Sequence, residues 1–571
     1  MSILNNKFLS LSNSSKSSDF NSSKEDLNSK YSKILADLEN GNLHGYDENL
    51  KSYSTLKDSQ FFDPNYYISS YNLDITEDNA LIHYLIKGFK ENKNPSAEFN
   101  GNKYLQMYPD VKRAGYNPLV HYELFGKKEG RKLPLTEFKE LSNEILSLKN
   151  IMYQNRVIQN LSLLRDKVSK GDKVNVIFIL PAMMFVYKDL YNLFDKDDLF
   201  NVQIVLVPHR LGSSSEITDV AKEKYFQIFN YLEEKNFNVL SGYDFDKNEG
   251  IDLVTTCSPD ILFYVLPYMR IYPKTMKIDN LPANILYPYI PYGEFVDDNL
   301  DDLFFNFGWN ERIWKVFCST EEYLYGSSSK SVVGSSNVML TGSARMDALV
   351  NFKESDNDYQ WIYDKEENKK RIIWAPHHTL SRPGMDDSLS YSTFDENYEF
   401  FYNYAKNHPE TEWVVRPHPL LKEVLSKINT NMKVKGIVDE NFVDEYFFKW
   451  ESLPNARVHE DIDYYDLFAT ADAMITDCIS FKSEYLFANK PGLILKKSDA
   501  KWEGYESTIM DAWYVENGSN FEQIEDFIEN VVIGENDYLK EKREEIFNEN
   551  FNINLGNASN VIFEYIKNEL M

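Results

Sequence analysis

KKRIIWAPHHT (369–379) and TEWVVRPHPLL (411–421) decide how this chain is read. Each is a short, continuously apolar run that stops at a proline beside histidine, arginine or threonine. A run that is apolar at every position, rather than at alternate ones, fits a strand covered on both faces, as in a parallel sheet. Polar groups just past the carboxyl ends of such strands stand where open α/β sheets bind ligands. ADAMITDCIS (471–480) repeats the design, and NARVHE (455–460) and PGLILK (491–496) supply further strands.

The same alternation occurs upstream. KVNVIFIL (173–180), VQIVLVP (202–208) and PDILFYVLPY (259–268) read as strands. Helical segments fall between them, around Lys188–Phe194 and in FQIFNYLEEKNF (226–237). NILYPYIPYGEF (284–295) and WKVFCST (314–320) continue the series, and NVMLTGSARMD (337–347) closes it. The fold expected is α/β: two facing Rossmann-like lobes, residues 171–348 and 349–571, with a ligand cleft between them.

The N-terminal third differs. FFDPNYYISSYNLDITEDNALIHYLIKGFKENKNP (61–95) and AEFNGNKYLQMYPDVKRAGYNPLVHYELFGKKEGRKLP (97–134) are two copies of one unit. Tyr67 matches Tyr104, His83 matches His121 and Gly88 matches Gly126, at offsets of 37 or 38. A period of this size marks a repeated supersecondary unit. Each copy predicts short helices, with the glycine in a C-cap role. His83 and His121 lack a second ligand at metal spacing and read as packed structural residues. Residues 1–55 are expected to be an N-terminal segment, partly disordered, with 1–30 the loosest part, and 56–134 hold the repeats. Residues 135–170 predict a connecting helix in which Phe138, Leu141, Ile145, Leu148 and Met152 form a heptad seam that breaks at Asn155 and Gln159. Two uses stand open for it: a coiled coil that makes a homodimer, or packing on its own chain.

The 571 residues carry 61 Lys and Arg against 89 Asp and Glu, a net charge of -28, which argues against nucleic acid as a partner. Cys257, Cys318 and Cys478 form no paired motif and fit reduced thiols. No apolar run approaches the roughly 18 residues of a membrane span, and no basic-then-apolar leader is seen. The expected location is cytoplasmic, with visits to the inner face of the membrane if the acceptor is anchored there.

Three polar clusters carry the chemistry. In APHHT, His377 and His378 offer imidazoles suited to proton transfer; adjacent side chains point apart, so one of the two is expected to face the cleft. In RPHP, prolines stiffen the loop that presents Arg416, a planar fork for phosphate oxygens, and His418. In TDCISFKSEYLFANKP (476–491), Ser480 is placed as the N-cap of a helix from Phe481 to Ala488, whose free N–H groups would take an anion. Thr476, Ser480 and Ser483 add hydroxyls, and Glu484 is placed to accept from a ribose diol. No acidic cluster has convincing metal spacing, and DDNLDD (297–302) reads as solvated surface. His209, at the end of an upstream strand, His408, after a helix, and His459, after a short strand, are second-tier candidates; His44 gives no signal.

APHHT, RPHP, DIDYYDLFATADAMITDCIS (461–480) and SEYLFANKP (483–491) together resemble the CDP-glycerol glycerophosphotransferases of teichoic-acid and capsule synthesis. TGSARMD (341–347) resembles that family's Gly-x-x-Arg-x-Asp segment, and YIPYGEF (289–295) its loop that often carries His-Gly. The repeats resemble those attached to bacterial polysaccharide transferases. The resemblance spans roughly 170–560. It implies a glycosyltransferase-B-like fold, with 171–348 as acceptor lobe and 349–571 as nucleotide-donor lobe. The implied reaction moves glycerol phosphate from a CDP-activated donor to a hydroxyl of a polymer or lipid-linked primer and releases CMP. No cofactor or metal is implied. Arg416 and His418 fall where the family places an Arg-x-His pair at the donor phosphates. Asp477 and Ser480 fall in its Asp-x-x-Ser donor segment, joined here with Thr476, Ser483 and Glu484. Tyr292, Gly293 and Arg345 are the acceptor-lobe candidates. Cys478 and Phe481 flank Ser480 where a second Ser is usual, His377 and His378 replace Thr and Arg, and Tyr292 stands in place of His. Two further readings remain: a glycosyltransferase that uses a nucleotide sugar, and a non-catalytic scaffold of a polymer-synthesis complex.

Overall fold

The computed structural model describes residues 24–40, 50, 52–133, 137–182, 185, 187–209, 217–294, 304–357, 359–364, 367–382, 390–461, 463–497, 502 and 504–571. His44 and the DDNLDD run lie outside these residues. The chain forms two compact units, one ending at Ile145 and one from Leu146 to Met571.

The first unit is helical. Its repeats are built around one buried contact each: the Tyr67 hydroxyl lies 2.8 Å from His83 Nδ1, and the Tyr104 hydroxyl 3.0 Å from His121 Nδ1. The two histidines are buried beside their tyrosines, as structural residues. The glycines correct the expectation. Neither Gly88 nor Gly126 has the left-handed backbone of a helix cap. Instead, a Cβ on Gly88 would overlap the Tyr67 hydroxyl, and one on Gly126 would sit 2.6 Å from that of Tyr104. Glycine is there so that the tyrosine can reach its histidine. A helix, Lys24–Glu39, begins inside the stretch expected to be loose, and its Tyr31 ring packs edge-on to His83.

One helix runs from Glu137 to Ser169. Tyr153, Val157, Leu161 and Leu164, spaced as one helical face, are buried in the core of the second unit. Residues 146–169 are therefore part of that unit and not a free linker. Leu148 and Met152, on the opposite face, are exposed.

The first lobe of the second unit holds strands β1 (Val174–Pro181), β2 (Phe200–Val207), β3 (Val239–Ser241), a small hairpin of β4 (Tyr243–Asp244) and β5 (Glu249–Gly250), β6 (Ile261–Tyr264), β7 (Pro288–Tyr289), β8 (Lys315–Cys318) and β9 (Val338–Leu340). A parallel sheet of order β3-β2-β1-β6 joins the parallel β7-β8-β9 sheet through a bridge between Ile261 and Leu286. The second lobe holds β10 (Lys370–Ala375), β11 (Thr411–Val415), β12 (Ala456–Val458), β13 (Ala473–Thr476), β14 (Gly492–Lys496) and β15 (Tyr514–Asn517). They form one parallel sheet of order β12-β11-β10-β13-β14-β15. Numbered from β10, this is the 3-2-1-4-5-6 order of a dinucleotide-binding sheet, whose ligand crevice opens where the order reverses, between β10 and β13. Alternate residues serve the two faces: Ile372 and Trp374 enter one core, Ile373 and Ala375 the other.

The lobes are not divided as the sequence predicts. The C-terminal helix, Ala558–Leu570, returns to the first lobe, where Phe563 packs on Phe194 and Phe200. Asp347 of TGSARMD accepts the N–H groups of Ala558 and Ser559 and so fixes the helix start.

A histidine cluster at the sheet switch point

β10 and β11 end side by side, and main-chain bonds tie their loops together. Arg416 N–H donates to the Trp374 carbonyl (2.8 Å) and His418 N–H to that of Pro376 (2.9 Å). This brings three imidazoles together. The ring centroids lie 4.4 Å apart for His377 and His378, 4.0 Å for His378 and His418, and 4.8 Å for His377 and His418. Both members of the adjacent pair join the cluster; His377 is buried in it and His378 is partly exposed. Burial holds all three imidazoles below their usual pKa. For His418 the neighbouring His377, His378, His209 and Arg416 add to the effect; for His377, His378 and Lys482 do; His378, also facing Arg382 and His209, is lowered to about 4. The cluster is neutral near pH 7.

Hydrogen bonds fix two of the tautomers. Leu420 N–H donates to His418 Nδ1 (3.1 Å), which leaves the His418 proton on Nε2. Thr379 N–H points at His377 Nδ1 (3.4 Å), and the Thr379 hydroxyl lies 2.8 Å from the same nitrogen while accepting Tyr391 N–H. His377 Nδ1 is therefore also an acceptor. One ring nitrogen from each imidazole lies within 4.8 Å of the others, a spacing compatible with metal ligands and shared by His408, Glu410 and Glu529. His377 and His418, however, already spend their lone pairs on protein donors.

Arg416 is buried beside the cluster. Its Nη1 reaches His459 Nδ1 (2.5 Å) and the Asp461 carbonyl (3.2 Å), and its guanidinium lies 4.5 Å from the centroid of the Tyr464 ring. Burial, with help from Arg416 and Lys224, lowers His459 to about 3, so it accepts from the arginine as a neutral ring. His209 follows β2, and burial with Lys224 lowers it to about 4. His408 stacks on Tyr404 at 3.9 Å and is a helix C-cap.

The third cluster is turned inward, and here the structure corrects the sequence reading. The Thr476 hydroxyl donates to the Ala375 carbonyl (2.6 Å) and tethers β13 to β10. Asp477 accepts His377 N–H at one oxygen (2.5 Å) and, at the other, Thr393 N–H (2.6 Å) and hydroxyl (3.0 Å). Burial raises its pKa to about 6. Asp477 thus holds the histidine loop in place. Ser480 has helical backbone angles and caps nothing. The helix after it is a single turn, Phe481–Glu484, that tightens into a 3-10 turn at Tyr485–Ala488. The Ser483 hydroxyl donates to the Ser480 carbonyl (3.1 Å). Glu484, expected at a ribose, accepts Arg345 Nη2 (2.8 Å) and the Tyr464 hydroxyl (2.6 Å). Arg345 also donates to the Tyr292 carbonyl, and the Tyr292 hydroxyl bonds that of Tyr268 (2.7 Å). Gly293 lies against Arg345, to whose Nη1 a Cβ would be 3.7 Å distant. Sequence reasoning missed Thr393 and Tyr464. The aromatic pair Tyr464-Tyr465 ahead of β13 was the one available signal.

Residues 306–568 match the model of the CDP-Glycerol:Poly(glycerophosphate) glycerophosphotransferase family. Over this stretch the chain is similar to that family. It is an enzyme of the transferase class and, at the level of the family, a glycerol-phosphate transferase. The matched stretch takes in β8 to β15, including every residue of the histidine cluster. No curated protein matches the chain. Among solved structures, UDP-GlcNAc 2-epimerase from Neisseria meningitidis is similar at 16% identity and a TM-score of 0.43, over 69% of this chain and 100% of its own. The S. aureus MnaA–UDP structure is similar at 14% and 0.42, over 70% and 97%. A variant of the wall teichoic acid polymerase TagF is similar at 14% and 0.42, over 75% and 98%.

Proposed function

We propose that this glycerophosphotransferase takes glycerol phosphate, or a related polyol phosphate, from a CDP-activated donor and passes it to a hydroxyl of a cell-surface polymer or lipid-linked primer, releasing CMP. The observation that carries the reading is the meeting of His377, His378 and His418 beside buried Arg416 at the switch point of the β10–β15 sheet. Neutral imidazole N–H groups and one guanidinium suit a pyrophosphate, whose charge they meet in a site shielded from water.

In this reading the acceptor oxygen attacks the phosphorus that bears the polyol. The new O–P bond forms as the bond to the bridging oxygen breaks, and CMP leaves with that electron pair. The hydroxyl proton passes to a histidine of the cluster. Arg416 meets charge on the leaving phosphate. Tyr464 and His459 hold Arg416 in place, and Asp477 and Thr393 hold the His377 loop, so the donors are set before the substrate arrives.

Thermal denaturation in the presence of candidate donors tests this. CDP-glycerol and CDP-ribitol are expected to raise the melting temperature, and Arg416→Ala to abolish the rise while the folded baseline persists. A rise produced by nucleotide sugars and not by CDP-polyols would count against the reading.

A further inference from the structure

We propose that His378 is the group that takes the proton from the acceptor hydroxyl, while His418 and His377 serve the phosphate as N–H donors. The assignment rests on the transferase reading above and separates three residues that the sequence treats alike.

A ring takes up a proton on a nitrogen whose lone pair is free. In His418 that lone pair, on Nδ1, is occupied by Leu420 N–H. In His377 the Nδ1 lone pair is occupied by the Thr379 hydroxyl and N–H. For either ring to act as a base, it would first have to give up a protein hydrogen bond in a buried site, which is unfavourable. Both instead keep a proton on Nε2, which suits donation to an oxyanion.

His378 differs. Its Nδ1 is buried and has no hydrogen-bond partner among the described residues. A buried, unpartnered ring nitrogen is costly, and this one is committed to no protein group among the described residues. His378 sits between the other two members, 4.0 Å from the His418 ring and 4.4 Å from the His377 ring. Arg382 and His209 also face it and, with burial, keep it unprotonated. In the transfer, the hydroxyl oxygen forms its bond to phosphorus, the bridging P–O bond breaks toward CMP, and the hydroxyl proton moves to a His378 nitrogen, from which solvent later removes it.

Two measurements on the full chain test the assignment. The first is histidine-selective 15N NMR of the free protein near pH 7, assigned with His378→Gln and His418→Gln. It reads tautomers and needs no substrate. His418 and His377 are expected as neutral rings protonated at Nε2; a His418 ring protonated at Nδ1 would overturn the proposal. The second is the pH profile of turnover with whichever activated donor the wild type consumes. His378→Gln is expected to lower kcat by about 100-fold or more, leave donor KM within about threefold, and remove the acidic limb of the profile. His418→Gln is expected to raise donor KM and keep that limb. If His378→Gln keeps kcat within about threefold, or His418→Gln is the variant that loses the limb, the proposal fails. Consumption of a nucleotide sugar in place of a CDP-polyol would refute the donor reading alone, because both measurements would still decide which histidine takes the proton.

Discussion

Arg345 and Glu484 meet across the two lobes, guanidinium Nη2 to carboxylate Oε1 at 2.8 Å, with side chains only 4% and 1% exposed. Burial opposes the Arg345 charge, but Glu484 together with the neighbouring Tyr464, Tyr465 and Tyr187 outweighs it and holds the guanidinium pKa well above its ordinary value. The Tyr464 hydroxyl completes the pair, and the same tyrosine ring carries Arg416. The contact between the lobes and Arg416 therefore share one support.

Removing one partner of this pair leaves the other charge buried and alone. Glu484→Ala is expected to destabilise the second unit by about 3–5 kcal/mol, measured as a shift in denaturation midpoint. It should also loosen Tyr464 and weaken donor binding through Arg416. A change under about 1 kcal/mol would show that the lobes do not depend on the contact.

Asp477 is predicted to be structural in its first effect. Asp477→Ala strands the His377 N–H and the Thr393 N–H and hydroxyl, and is expected to cost about 2–4 kcal/mol by denaturation. Turnover should fall with it, because the His377 loop loses its anchor. Thr393→Ala, far away in sequence, should reproduce part of the loss.

The repeats make a simpler prediction. Gly88→Ala drives a methyl group into the Tyr67 hydroxyl and should cost about 1–3 kcal/mol. Gly308→Ala, where an added Cβ meets nothing within 4 Å, should stay within about 0.5 kcal/mol. Equal effects would remove the Tyr–His–Gly explanation of the repeat.

Stability should fall on the acid side. His377, His378 and His418 have folded pKa values below the usual 6.5, so the unfolded chain binds more protons as the pH drops. Their contribution is present above about pH 6.5 and is lost toward pH 4, by up to about 3 kcal/mol for His378 alone. Asp477 works in the opposite sense: its raised pKa favours the folded state at low pH and loses that contribution as pH rises through about 6. The three imidazoles are expected to prevail, giving a falling denaturation midpoint from pH 6.5 to 4, and His378→Gln should flatten the slope.

The strands were legible because a strand buried on both faces leaves an unbroken apolar run: IIWA, WVV and AMIT each fall inside an observed strand. The place of the site was legible for a related reason, since polar residues directly after such runs have nowhere to go but the crevice. What the sequence does not carry is direction. His377 and His378 converge because of a turn set by Asp477, whose other partner, Thr393, is 84 positions away. Glu484 and Thr476 look like ligand groups in the motif and turn inward because Arg345 and Ala375 arrive from other elements. Gly88 reads as a helix end, and only the position of the Tyr67 ring shows why it is glycine. β15 escapes notice because YVEN is only partly buried at the sheet edge.

The nucleotide that the enzyme releases is the most direct test of the proposed reaction. The purified protein would be incubated with CDP-glycerol, CDP-ribitol and a series of nucleotide sugars, with a hydroxyl-bearing polyol-phosphate primer present, and the freed nucleotide identified. CMP released from a CDP-polyol, and lost in Arg416→Ala, is the predicted result. Release of a nucleoside diphosphate from a nucleotide sugar, with CDP-polyols untouched, would contradict it.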